Sequence, residues 1–256
     1  MIYAIDVSKH QGTMNWSAVK KAGIRHAMIR SGYGRYVSQK DPQFDRNVTQ
    51  CVALGIDWGT YWYSYATSPA QARREAQCCL SVIKGLKPTM PVAYDIEYEP
   101  GILALSNAAR TEMVKAFLEE IEAAGYYGIL YASTDFIRNR LNYRDLAAYD
   151  IWCAQYGSKC TCPLPYGIWQ YSSKNLLGVP GHGTSLDCNR VYKDYPQIML
   201  DYDLNGWDGP EPEDDGGSDD SAKLQRIMVG PLSSGDVATL KALCESLSLT
   251  SMGLYK

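Results

Sequence analysis

Val92-Ala93-Tyr94-Asp95-Ile96-Glu97 is an apolar run that closes on two carboxylates spaced i and i+2. In an extended segment, residues two apart point to the same side, so Asp95 and Glu97 are expected to face one cavity. A short apolar run of this kind predicts a buried strand, here over Pro91–Asp95. The position of the acids matters as much as their spacing. In a parallel α/β barrel the reactive groups gather where strands end and loops begin.

Working outward, similar runs recur along the first 200 residues. They predict strands at Tyr3–Val7, Ala27–Arg30, Trp58–Tyr63, Gly128–Ala132, Ile151–Ala154 and Gly167–Tyr171, with a last one around Ser185–Val191. Helical patterns lie between them. In Asn107–Ala124, Met113, Phe117, Ile121 and Ala124 fall at helical spacing before Gly125. A second helix is expected from the cap Ser68, ahead of Pro69, to about Ile83. Strands alternating with helices point to a parallel α/β architecture. Pattern alone admits a closed barrel or an open, doubly wound sheet. The stretch from Ile151 to Gly167 is too short and polar for a full helix. The expected fold is therefore an irregular TIM-like (β/α) barrel with some helices missing, plus a small C-terminal βαβ unit.

Two further acids sit at strand ends, Asp6 after the first strand and Asp187 near the last. Carboxylates crowded at one mouth disfavour one another's ionisation, so one of them should keep its proton near neutral pH. A general acid needs that condition, and glycoside hydrolysis needs an acid to protonate the departing sugar oxygen. The same four acids suit Mg²⁺ or Ca²⁺ equally well on residue type. Three histidines, His10, His26 and His182, make a transition-metal hydrolase the weaker reading, and no metal or other cofactor is expected.

Composition narrows the partners. Tyr numbers 20 and Trp 6 against only 3 Phe, a bias toward rings with a polar edge that suits a wet groove. The net charge of −3 conceals two regions: nine acidic and no basic residues fall in Asp201–Ser221, while residues 1–200 carry 21 Lys/Arg against 17 Asp/Glu. That mildly basic body can approach an anionic cell wall. It lacks the basic runs of a nucleic-acid binder. No apolar run reaches the ~20 residues of a membrane span, and no secretory leader is recognisable at the N-terminus. The expectation is storage in the cytoplasm of the producing cell. The eight cysteines do not form an evident disulfide framework, because Cys78 and Cys79 are adjacent and Cys160 and Cys162 are one residue apart. A reduced state is the default, and zinc ligation at Cys160/Cys162 lacks a second close pair.

Asp208–Ser221 reads DGPEPEDDGGSDDS, an acidic Pro/Gly linker that cannot bury apolar area. The domains expected are a barrel over 1–207, this linker over 208–221 and a βαβ unit over 222–256. In the last, Leu224–Val229 and Met252–Tyr255 read as strands and Ser234–Leu247 as a helix. So short a unit falls below the ~40 residues at which a domain usually needs a partner, so wall binding or homo-oligomerisation is expected of it.

The motifs, taken together, resemble glycoside hydrolase family 25 lysozymes. Asp6-Val7-Ser8-Lys9-His10-Gln11-Gly12 with Asn15-Trp16 is similar to the family's opening signature. Ile29-Arg30-Ser31-Gly32, Gly59-Thr60-Tyr61-Trp62-Tyr63, Asp95-Ile96-Glu97, Ile168-Trp169-Gln170-Tyr171, Gly178 and Asp187-Cys188-Asn189 follow in the family's order over about residues 2–205. The resemblance implies cleavage of the β-1,4 bond between N-acetylmuramic acid and N-acetylglucosamine in bacterial peptidoglycan. It implies Glu97 as general acid/base, Asp95 assisting the substrate's 2-acetamido group, and Asp6 and Asp187 tuning the pair. It puts Tyr61 and Tyr63 on the inner face of the third strand. Tyr131, Trp152 and Trp169, on or near later strands, are expected by ring type to line the groove, the alternative being that they fill the core. Arg30 is expected inside the mouth, pairing with the acids. Cys188 departs from the family's closing motif, and the tail carries no recognisable wall-binding repeat. The expected role is a phage or prophage endolysin. The other class of reading is a catalytically silent wall-binding protein on the same barrel; a metal-dependent hydrolase is the third.

Overall fold

Alternation along each strand sorts side chains into two apolar layers. In β1 (Ile2–Val7) Ala4 points inward while Ile5 and Val7 point out toward the helices. The same division holds in β2 (His26–Tyr33), β3 (Asp57–Tyr63), β4 (Val92–Asp95), β5 (Gly128–Ser133), β6 (Asp150–Ala154), β7 (Ile168–Lys174) and β8 (Ser185–Val191). These eight strands close into one barrel in sequence order. The structure is a computed structural model and describes residues 2–207. The linker and the βαβ unit expected over 208–256 lie outside the described residues.

The helices fill the gaps as predicted in the first half. They are α1 (Trp16–Lys21), α2 (Phe44–Leu54), α3 (Pro69–Ile83), α4 (Pro100–Leu103), α5 (Asn107–Ala123), α6 (Thr134–Arg140) and α7 (Tyr195–Asp201). Ser68 caps α3 by accepting from the Gln71 N–H at 3.3 Å, ahead of Pro69 in the first turn. Ser106 does the same for α5 at 3.2 Å. The outer layer is then stapled by rings, with Tyr94 of β4 stacked on Phe117 of α5 at 4.2 Å.

One expectation fails. The sheet is not wholly parallel: β8 runs antiparallel to both β7 and β1. Only residues 175–184 separate β7 from β8, fewer than the dozen or so that a parallel crossover needs, so the chain turns straight back. The longer 155–167 connection keeps β7 parallel to β6 without any helix.

The barrel interior has an apolar floor of Ala4, Met28, Ala93, Ile129, Ile168 and Val191. Gly59 sets its depth: a Cβ there would meet Pro91 O at 2.5 Å and Met28 Sδ at 2.8 Å. Above this floor the inward positions become polar, and the site begins.

Candidate active site

On seven of the eight strands an inward residue above the floor carries a polar group, β6 having Ala154 at the level of Gln170. On β1 it is Asp6, on β2 Arg30, on β3 Tyr61, on β4 Asp95, on β5 Tyr131, and on β7 and β8 Gln170 and Asn189. Glu97 follows Asp95 by two residues, on the loop leaving β4, and is half-buried. All of these except the fully buried Asn189 line, with Asp187, a cavity of about 540 Å³. A second hollow of about 270 Å³ shares Glu97, Tyr131 and Tyr156 with it, which extends the cavity into a groove.

Asp6 is held by two amides that sequence reading did not single out. Its Oδ2 accepts from Asn189 Nδ2 at 2.7 Å and from Gln170 Nε2 at 3.0 Å. Each amide is oriented in turn from behind. Trp152 Nε1 donates to Asn189 Oδ1 at 2.8 Å, and Tyr131 and Tyr156 hydroxyls donate to Gln170 Oε1 at 3.1 and 3.2 Å. Burial and then the neighbouring Asp187 outweigh these bonds and push the Asp6 carboxyl up to about 8. Asp187 stands opposite Asp6 in the β1–β8 ladder, and burial lifts it to about 6.

Asp95 and Glu97 lie close enough for each side chain to act on the other's ionisation, as a hydrogen-bonded carboxyl pair does. Asp95 is the deeper, only 3% exposed, and burial, Glu97 and Asp6 all push its carboxyl far above the ordinary range. Glu97 is raised too, chiefly by burial, although the bond from Asp95 draws it back. Two buried carboxyls acting on each other in this way favour keeping one proton between them, with Asp95 the group raised further. The other Asp95 oxygen, Oδ1, is buried and finds no hydrogen-bond partner among the described residues.

The predicted site residues divide. Asp6, Asp95, Glu97, Asp187, Tyr61, Tyr63, Tyr131, Trp152 and Arg30 all reach the cavity. Trp169 does not. It lies in the outer layer, with Arg190 stacked 5.0 Å from its ring and its Nε1 donating to Gln155 O at 2.8 Å. Strand alternation explains the correction: Gln170 takes the inward place, so Trp169 faces away. Arg30 also departs from expectation. Its ion pair is with buried Asp41, at 2.7 Å, rather than with the clustered acids, and it acts on Asp95 only through space. Asp41 accepts from the Lys9 N–H at 3.0 Å as well, which fixes the Ser8–Gln11 turn at the rim.

The rim carries further residues that the sequence did not flag. Tyr33, Tyr65, Lys9 and His10 line one side and Tyr156 the other. Tyr63 donates to Glu99 at 2.7 Å, which anchors the loop that carries Glu97. Polar residues inside apolar strands were the available signal for Gln170 and Asn189. Tyr156 sits in a connection without periodicity and gave none.

Residues 5–179 match the profile of Glycosyl hydrolases family 25. Lysozyme M1 of Streptomyces globisporus is 28% identical over 204 residues, covering 74% of this chain and 66% of the relative. The D-alanyl-L-alanine endopeptidase of Streptococcus phage B30 is 30% identical over 223 residues, covering 78% of this chain and 47% of that protein. The chain thus spans about half to two thirds of the length of the curated relatives it matches. Among solved structures, the lysozyme from Streptomyces coelicolor superposes with a TM-score of 0.67 at 24% identity, over 78% of this chain and 96% of that one. With the profile covering most of the barrel and the strand-end acids in place, this chain belongs to glycosyl hydrolases family 25.

Proposed function

We propose that the barrel is a muramidase that cleaves the β-1,4 bond between N-acetylmuramic acid and N-acetylglucosamine in bacterial peptidoglycan. The observation that carries this reading is the Asp95–Glu97 carboxyl pair, both raised above the ordinary range chiefly by burial, in a tyrosine-walled groove. The groove falls within the ~300–1,000 Å³ of ordinary ligand sites, and its aromatic walls offer apolar faces for sugar rings with polar edges for their hydroxyls.

In this reading the substrate's 2-acetamido N–H binds Asp95. A protonated Asp95 cannot accept that bond with the oxygen that holds the proton, so substrate binding favours moving the proton to Glu97. Glu97 is the more open of the two and delivers it to the departing glycosidic oxygen. As that bond breaks, the acetamido carbonyl oxygen closes on the anomeric carbon, and Asp95 balances the positive charge on the ring so formed. Glu97, now ionised, takes a proton from water as the water opens that ring. Asp187, lifted only to about 6, is mostly ionised at neutral pH and supplies the negative neighbour that helps keep a proton on the pair, while burial holds Asp6 mostly neutral beside it.

The biological setting proposed is a phage or prophage endolysin, held in the producer's cytoplasm and released onto the wall at lysis. Among the described residues, no helix is long and apolar enough to cross a membrane. The 222–256 unit is assigned wall binding or self-association. The competing reading is a catalytically silent wall binder on the same barrel. Mass spectrometry of fragments released from purified wall tests the proposal. New reducing ends on muramic acid support it. A new reducing glucosamine, a free amine from a cut peptide, or no release at all would overturn it.

A further inference from the structure

Three cysteines with no part in the groove meet just behind it. Cys153 lies on β6 with its side chain in the outer layer, and Cys160 and Cys162 lie on the 155–167 connection that follows. The sulfurs of Cys153 and Cys160 stand 3.1 Å apart, and Cys162 interacts with Cys153 as well. Cys153 is buried, whereas Cys160 and Cys162 are partly exposed. The Cys160 sulfur also lies 3.9 Å from Thr134 Oγ1 and near the Tyr166 hydroxyl. Donation from Cys153 pulls the Cys160 thiol down to about 6 against the effect of burial. Such a thiol is largely thiolate at neutral pH, the form that attacks disulfides. Among the described residues no three His, Cys, Asp or Glu side chains are arranged to hold a metal ion, so the cluster is argued as sulfur–sulfur chemistry.

We infer that Cys160 and Cys153 form a redox couple, with Cys160 as the entry thiol and Cys153 as the resolving thiol. The oxidant is a small-molecule disulfide. The Cys160 thiolate attacks one of its sulfurs, forming a mixed disulfide and expelling one small thiolate. Cys153 then gives its proton to solvent and attacks the Cys160 sulfur. The Cys153–Cys160 bond forms, and the second small thiolate leaves and is protonated. Two protein thiols are oxidised and one small disulfide is reduced to two thiols. Reaching a bond length of about 2.05 Å from the observed contact asks only a small side-chain shift.

The consequence reaches the groove. The ring closed by this bond spans residues 153–160 and contains Gln155 and Tyr156. Tyr156 donates to Gln170, which in turn holds Asp6. Oxidation therefore pins one wall of the groove to β6. The inference concerns the thiols alone and stands apart from the glycan reading.

The test uses the full chain treated with oxidised glutathione, quenched with N-ethylmaleimide and mapped by tryptic digestion without reduction. Cleavage after Lys159 separates Cys153 from the 160–174 peptide, which holds both Cys160 and Cys162, and fragmentation of the linked peptide between these two identifies the bonded one. The expected products are a Cys160–glutathione adduct that gives way to a Cys153–Cys160 link. In Cys153→Ser the adduct should persist, and in Cys160→Ser Cys153 should stay unmodified. A second readout needs no variant: native iodoacetamide labelling should be more than about tenfold faster at Cys160 than at buried Cys51 or Cys188. Absence of any link, a link through Cys162 instead, or labelling of Cys160 no faster than of the buried thiols would overturn the assignment.

Discussion

Asp187 stands directly across the β1–β8 ladder from Asp6, although 181 positions separate the two in sequence. The juxtaposition depends on β8 running backwards. Asp187 is the third residue of that strand, and in a parallel strand it would lie toward the floor, away from the mouth. Reversal brings it level with the end of β1 and sets a second carboxylate against the first. The charge of Asp187 also raises Glu97.

It follows that Asp187→Asn removes a negative neighbour and lowers the carboxyl range of Glu97. Wall digestion measured across pH should show the alkaline limb of kcat/KM moved to lower pH, because the proton needed for departure is lost earlier. An unmoved limb would mean that Asp187 does not act on the pair.

Asp6 gives a stability prediction with a definite sign. Its carboxyl ionises near 8 in the folded chain against an ordinary 3.8, so folding favours the neutral form. The associated stability is fully present below about pH 4 and is lost as pH rises toward 8. Asp6→Asn keeps an acceptor oxygen for the Asn189 and Gln170 amides yet cannot ionise. Its thermal midpoint should rise relative to the parent at pH 8, by about 2–4 °C for each kcal/mol relieved, and should differ least near pH 4. Activity should fall in the same variant. An equal shift at both pH values would refute the linkage.

Trp152 and Trp169 should respond differently to the same substitution. Trp169→Phe loses the bond to Gln155 O and outer packing, which costs about 1–2 kcal/mol of stability with KM unchanged. Trp152→Phe frees the amide of Asn189 behind Asp6 and should lower kcat/KM by up to about a hundredfold. Denaturant titration and wall-digestion kinetics on both variants separate the two effects. A raised KM in Trp169→Phe would return that ring to the groove.

The proposed role of the 222–256 unit is checked on the full chain by sedimentation velocity, with and without purified wall. Association of copies or co-sedimentation with wall is expected. A monomer that binds wall no better after residues 222–256 are restored to a 1–221 variant would remove the assignment.

Much of this molecule was legible in its sequence because alternation is a local signal. All eight strands fall where apolar runs and turn residues put them, and Asp95 and Glu97 face one cavity as their spacing requires. Strand direction is another matter. Nothing in Leu186-Asp187-Cys188-Asn189 encodes it; only the length of the 175–184 connection does. For Trp169 the ring type points to the groove, whereas the polar Gln170 beside it takes the inward position and turns the indole to the outer layer. The partners of Arg30 and Cys153, which are Asp41 and Cys160, come from loops whose return paths no periodicity records.

Glu97→Gln tests most directly whether a carboxyl lining the groove hands its proton to a sugar oxygen. The amide keeps the shape of the side chain and removes its titratable proton. Release of new reducing ends from purified wall should fall on the order of 10²–10⁴-fold while sedimentation with that wall persists. Release at the parent rate would contradict the assignment of Glu97 and, with it, the mechanism built on the pair.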